Sequence, residues 1–148
     1  MKKLTLMLAC TAVALLLSPG LALAQSNAEP SLHVSLHPCQ IFSGSLAADS
    51  TFGLDIRGNC NVPETATAVE VAITVSAESA GSLKLWEYDM TVPAASVMSY
   101  PSGTASSFGV PRLCAPVGEC FYDVSARSTS AVTLTLVAVG YYAPAAGL

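Results

Sequence analysis

The chain has 148 residues, 52% of them hydrophobic and only 11% charged, and carries a formal charge of −4 at pH 7. With no basic cluster anywhere along it, the composition argues against nucleic acid or an anionic membrane surface as partner. Its abundance of Ala, Val, Ser, Thr and Gly argues against a disordered tail and for a compact β-domain.

The N-terminus has the layout of an export signal. Lys2 and Lys3 precede an apolar run from Leu4 to Leu17, Ser18-Pro19-Gly20 breaks it, and Ala22-Leu23-Ala24 offers small residues before Gln25. That run of 14 residues is short of the roughly 18 apolar residues of a spanning helix, so no stable membrane span is expected. Cys10, in Met7-Leu8-Ala9-Cys10, lies too close to the lysines for a lipoprotein-type site, because too little hydrophobic region separates them. Cleavage after residue 24 leaves Arg57, Lys84, Arg112 and Arg127 against all ten acids, 4 − 10 = −6. The expected organisation is a signal over 1–24, a short leader over 25–30, one β-domain over 31–144 and a tail over 145–148. The expected location is outside the cytoplasm, secreted or periplasmic.

After the leader, strand follows strand. A short first strand is expected at His33–Leu36. Phe52, Leu54 and Ile56 then alternate with Thr51, Gly53, Asp55 and Arg57, one apolar and one polar face. The cleanest alternation is AVEVAITVSAES, which sets Val69, Val71, Ile73 and Val75 against Glu70, Ala72, Thr74 and Ser76. Ala80-Gly81 turns the chain into SLKLWEY, where Leu83 and Leu85 read as core and Lys84, Trp86 and Tyr88 as the opposite side. Shorter strands are expected at Ser96–Tyr100, Ser106–Leu113 and Cys120–Ala126. The last, AVTLTLVAVGYY, is apolar and β-branched enough for a central strand, with Val132, Leu134, Leu136 and Ala138 in one row. About eight strands with Pro and Gly at the joints, and no capped helical period, predict an all-β, two-sheet antiparallel sandwich or jelly roll.

Beyond the signal the chain has four cysteines, Cys39, Cys60, Cys114 and Cys120. In an exported protein an even number reads as two disulfides. Three pairings are open, and proximity favours Cys39–Cys60 with Cys114–Cys120. Separations of 21, 54 and 6 positions fit neither paired zinc ligands nor a two-residue redox spacing.

Catalysis finds little to work with. The only histidines, His33 and His37, would sit about 13 Å apart along a strand, too far to chelate one ion. The acids Glu70, Glu87, Asp89 and Asp123 show no spacing that singles out a glycosidase pair. There is no phosphate-cradling glycine loop and no zinc-protease signature. No enzyme activity, metal or cofactor is therefore expected. Trp86 and Tyr88, with Tyr100, are the candidate ligand-binding residues, because exposed rings on one strand face make stacking platforms for sugars. The competing reading packs Trp86 against the core edge or under a loop.

The motifs carry a resemblance. The string GNCNVPETATAVEVAITVSAESAGSLKLW, followed by SVMSYPSGTASSFGVPRL and CFYDVSARSTSAVTLTLVAVGYYAP, resembles a β-sandwich module found, often in tandem, in secreted and surface proteins of actinobacteria and acidobacteria. The likeness runs from about Pro38 to Pro144. It implies a surface sandwich and no enzymatic activity. The chain departs from the family where a charged run after the first cysteine is replaced by Gln40-Ile41-Phe42-Ser43-Gly44. It departs again at Ala72 and Val137, where the family carries Asn and Asp. The function expected from all of this is a non-catalytic cell-surface or extracellular interaction or structural module. The alternative is a carbohydrate- or cell-wall-binding protein using an exposed aromatic strip around Trp86. The partner expected is an unidentified protein or polysaccharide.

Overall fold

The computed structural model describes residues 30–115 and 118–147; the segment expected to be an export signal and almost all of the expected leader lie outside them. Eight strands follow one another: β1 (Ser31–Leu46), β2 (Thr51–Leu54), β3 (Ala68–Ala77), β4 (Gly81–Glu87), β5 (Met98–Tyr100), β6 (Gly103–Gly109), β7 (Val124–Ser128) and β8 (Val132–Pro144). They form two antiparallel four-stranded sheets, ordered β1-β8-β3-β6 and β2-β7-β4-β5. The pairs β1–β8, β2–β7, β3–β6 and β4–β5 are those of a single long hairpin whose tip lies between β4 and β5. Rolling that hairpin up adds the β3–β8 and β4–β7 contacts. The result is a jelly roll.

The core is built from the rows that alternation predicts. Val69, Val71, Ile73 and Val75 of β3 lie beside Val132, Leu134, Leu136 and Ala138 of β8, all buried. Facing them from the second sheet are Leu54, Leu83, Val124 and Ala126. Near the end of β8 the register with β3 shifts, so that Ala138 and Gly140 flank an unpaired Val139. An extra residue inverts the side-chain parity of everything after it. Tyr141 and Ala143 therefore point inward where Val132 to Ala138 had used the even positions.

Several boundaries differ from the sequence expectation. β1 has 16 residues, running straight through Pro38 and Cys39, because β8 offers a partner of matching length and two register shifts absorb the proline. β2 stops at Leu54, and the chain winds left-handed at Gly58, Cys60 and Asn61. That tight loop is closed by Gly58 N–H to Val62 O at 2.9 Å, and it drops Val62 into the core. Phe52, expected inside with Leu54 and Ile56, is half exposed at the sandwich edge, its ring 5.3 Å from Phe42. β6 ends at Gly109 rather than running to Leu113. β7 begins at Val124 rather than Cys120, which leaves Phe121 and Tyr122 outside the sheet.

Both disulfides form as proximity favoured, Cys39–Cys60 and Cys114–Cys120, with Cα atoms 5.7 and 6.3 Å apart. The first fastens the β1 edge to the left-handed loop. The second closes the segment between β6 and β7.

Candidate functional site

The proposed platform of Trp86, Tyr88 and Tyr100 does not exist as an exposed strip. Trp86 does lie on the outer side of β4, opposite Leu83, but the chain between β4 and β5 folds back across that face. The indole N–H donates to Met90 O at 3.1 Å, Lys84 Nζ donates to Pro93 O at 2.6 Å, and Trp86 is left 8% exposed. The loop-covered reading of Trp86 is the one that holds. Tyr100 is an inward residue, 4% exposed, and its hydroxyl pairs with the buried Ser128 Oγ. Leu85, expected in the core row with Leu83, is only half-buried. Of the three rings Tyr88 alone reaches the surface.

Two exposed aromatic side chains adjoin instead just before β7. Phe121 is 87% exposed and Tyr122 38%. The Tyr122 ring stands edge-on to Tyr88 at 5.4 Å, and Phe121 lies 6.3 Å from Tyr122. Room for Tyr122 comes from Gly53 on β2, where any Cβ would run into the ring. Gly53 pairs with Ser125, and Ser125 pairs with Trp86. The small residues Gly53 and Ser125 thus stand between the Tyr122 ring, which lies over Gly53, and Trp86, and an aromatic ring over a strand glycine shields its backbone.

What holds this cluster in place is an ion pair that alternation had treated as ordinary surface. Arg57 and Asp123 have side chains only 7% and 12% exposed, and they bond through Nη1 and Oδ1. The second carboxylate oxygen accepts from the backbone N–H of Ile56 at 2.8 Å and of Arg57 at 2.7 Å. The guanidinium also donates to Ala66 O at 2.9–3.0 Å and to Cys114 O at 3.0 Å. Through its own backbone Asp123 reaches Leu54 O at 2.9 Å, Cys114 N at 2.9 Å and Tyr88 N at 3.2 Å. One residue therefore ties together the end of β2, the end of β4 and the Cys114 end of the disulfide segment. Phe121 and Tyr122 are bracketed by Cys120 on one side and this anchor on the other. Among the described residues no buried side-chain nitrogen or oxygen lacks a partner.

The same network explains why a nearby recess of about 350 Å3, lined in part by Arg57, Glu87 and Arg112, is poorly equipped for chemistry. The Arg57 donors are committed to Asp123 and to carbonyls, and Glu87 accepts from Ala115 N at 3.3 Å. Elsewhere His33 Nε2 lies 2.9 Å from Glu70 Oε2 and its ring 5.0 Å from Tyr142. Those neighbours are an acid and a phenol. Among the described residues no three His, Cys, Asp or Glu side chains converge as metal ligands. No described helix is long and apolar enough to cross a membrane.

A local signal for the true cluster was present in the sequence. Phe121-Tyr122 directly follows a cysteine and precedes an acid. The approach of the Tyr122 ring to Gly53 is a long-range fact, invisible to local alternation.

No protein-family profile matches the chain, and no curated protein matches it. The bacterial surface module that its motifs resemble is not among families identified in this way. Solved structures similar to it in part include two of one viral coat protein. One is the tobacco streak virus coat protein dimer, 11% identical with a TM-score of 0.44 over 78% of this chain and 87% of that one. The other is the same coat protein in a C2 crystal form, 8% identical with a TM-score of 0.40 over the same shares of the two chains.

Proposed function

We propose that the chain is an exported, non-catalytic interaction module whose contact with its partner centres on Phe121 and Tyr122. The observation that carries this reading is a phenylalanine ring 87% exposed between two fixed points, a disulfide and the anchored Asp123. Singly exposed apolar side chains are ordinary, but contiguous ones mark interaction surfaces, and Phe121 adjoins Tyr122 and through it Tyr88. Aromatic residues dominate the energetics of contact sites, and a ring fixed in place beforehand loses little entropy on binding. Export is supported by the N-terminal pattern from Lys2 to Ala24 and by two disulfides, which persist in oxidising compartments. The partner that best suits this surface is a protein with an apolar socket. A polysaccharide is the second reading, favoured by the phenol groups of Tyr88 and Tyr122 beside the open ring, where a sugar could stack and hydrogen-bond at once.

The test uses the oxidised protein and its Phe121→Ser variant on insoluble polysaccharides and on cell-envelope fractions, with and without protease treatment of the envelope. Retention that falls at least tenfold in the variant, with circular dichroism and melting unchanged, is the expected result. Protease-sensitive retention identifies a protein partner, and retention on a purified polysaccharide identifies the second reading. Equal retention of both proteins, or none on any surface, overturns the proposal.

A further inference from the structure

The two sheets have four edges, and three of them are blunted against further strand pairing. β1 is interrupted by Pro38 and two register shifts and is fastened by Cys39–Cys60. β2 and β5 have four and three residues. Short strands, prolines and bulges are the usual devices against edge-to-edge association. β6 carries none of them. Its seven residues, GTASSFG, contain no charge and no proline and pair with β3 from Val71 to Ala77 without a register shift.

The face that β6 continues is equally neutral. Thr104, Ser106 and Phe108 stand beside Ser76, Thr74 and Ala72 of β3, which stand beside Thr133, Thr135 and Val137 of β8. Hydroxyls bond across the β3–β6 and β1–β8 pairs of this sheet, Thr74 with Ser106 at 3.3 Å and Ser43 with Thr135 at 3.2 Å. Phe108 closes the β6 row at 67% exposed.

We infer that β6 is a self-association edge, on which a second copy of the chain adds its own β6 antiparallel across a two-fold axis at Ser106. An antiparallel edge is complementary to itself, because a two-fold rotation brings each free N–H to a free carbonyl of the other copy. With the axis at Ser106, Ser106 faces its own counterpart and Phe108 faces Thr104 of the other copy. The exposed ring is then laid over a threonine methyl. Two acidic chains repel one another in general, but this edge brings no like charges face to face, and that neutrality singles out a second copy over a charged peptide. The outcome is one continuous eight-stranded sheet with a hydroxyl-lined outer face. This inference concerns a different edge from the Phe121 cluster and stands or falls independently of it.

The test is sedimentation of the oxidised protein over a wide concentration range, together with a cross-linking variant. The protein is expected to enter a reversible monomer–dimer equilibrium. Ser106→Cys should give a covalent dimer under mild oxidation, since facing Cβ atoms in an antiparallel pair lie about 4.5–5.5 Å apart. Phe121→Cys, at a more exposed position, should give much less. Ser106→Lys and, separately, Thr104→Lys should weaken the dimer at least tenfold with circular dichroism unchanged. A protein monomeric at every concentration overturns the inference. So does cross-linking no better at 106 than at 121, or a dimer indifferent to both lysines.

Discussion

At the scale of single residues, Asp123 joins more of the fold than its place on a polar strand face suggests. Its carboxylate meets two backbone N–H groups and the Arg57 guanidinium, while its backbone bonds three separate segments. Replacing it by alanine would strand a guanidinium whose side chain is 7% exposed and leave two amides without acceptors. Breaking a buried pair from one side costs about 3–5 kcal/mol. Asp123→Ala is therefore expected to lower the unfolding free energy in urea by that amount, read from the fluorescence of Trp86, the only tryptophan. Removing the guanidinium as well, in Asp123→Ala with Arg57→Met, should recover part of the loss, because no uncompensated charge then remains. A loss below about 1 kcal/mol in the single variant, in the range of an exposed pair, would contradict the role assigned to Asp123.

At the scale of elements, the two disulfides have different tasks. Cys39–Cys60 holds the long edge strand β1 to a loop that turns left-handed at Cys60 itself, φ 53°. A non-glycine residue rarely adopts that backbone without a surrounding structure to impose it. Cys114–Cys120 closes a short segment and positions the residue that follows it, Phe121. On the loop-entropy account, closing about 22 residues contributes roughly 3.4 kcal/mol and closing about 7 roughly 2.4. The paired Cys39→Ser/Cys60→Ser variant should thus lose more stability in urea than Cys114→Ser/Cys120→Ser. Only the second should increase hydrogen exchange or proteolysis around Phe121 while leaving the strands protected. The reverse order of stabilities, or no local change at Phe121, would refute this division.

At the scale of the whole molecule, the jelly roll joins the two ends of the described chain. β1 and β8 lie side by side over most of their lengths, and β8 sits between β1 and β3 at the centre of its sheet. Such topology puts little of the stability into local contacts and makes folding depend on closing long loops. Truncation after Ser130 removes β8 and should abolish cooperative unfolding altogether, since both β1 and β3 lose their shared partner. Truncation after Pro144 removes the short turn over Ala145–Gly147, in which Ala145 N–H donates to Pro30 O, just ahead of β1, at 3.3 Å. It should change stability by less than about 0.5 kcal/mol, as surface changes usually do. A folded protein from the first truncation would show that β8 does not organise its sheet.

Features that depend on near neighbours were legible in the chain before it folded. Alternation in AVEVAITVSA and AVTLTLVAV placed two core rows, because side-chain direction in a strand repeats every two residues. Cysteine spacing and the N-terminal pattern together led to the two disulfides. Tertiary structure alone decided what depends on residues far apart. The extension of β1 through Pro38 awaited a partner of the length of β8, and the Tyr141 parity awaited the bulge at Val139. Alternation places Trp86 opposite Leu83 and leaves both an exposed and a loop-covered reading open, and the chain after β4 that returns over it decides for the second. Phe121 and Tyr122 read as strand, yet the Arg57–Asp123 pair, 66 positions apart, pins the chain just after them and leaves them facing water. Burial is a property of what comes to lie on a residue, and in this fold that covering comes from chain that folds back over the sheets.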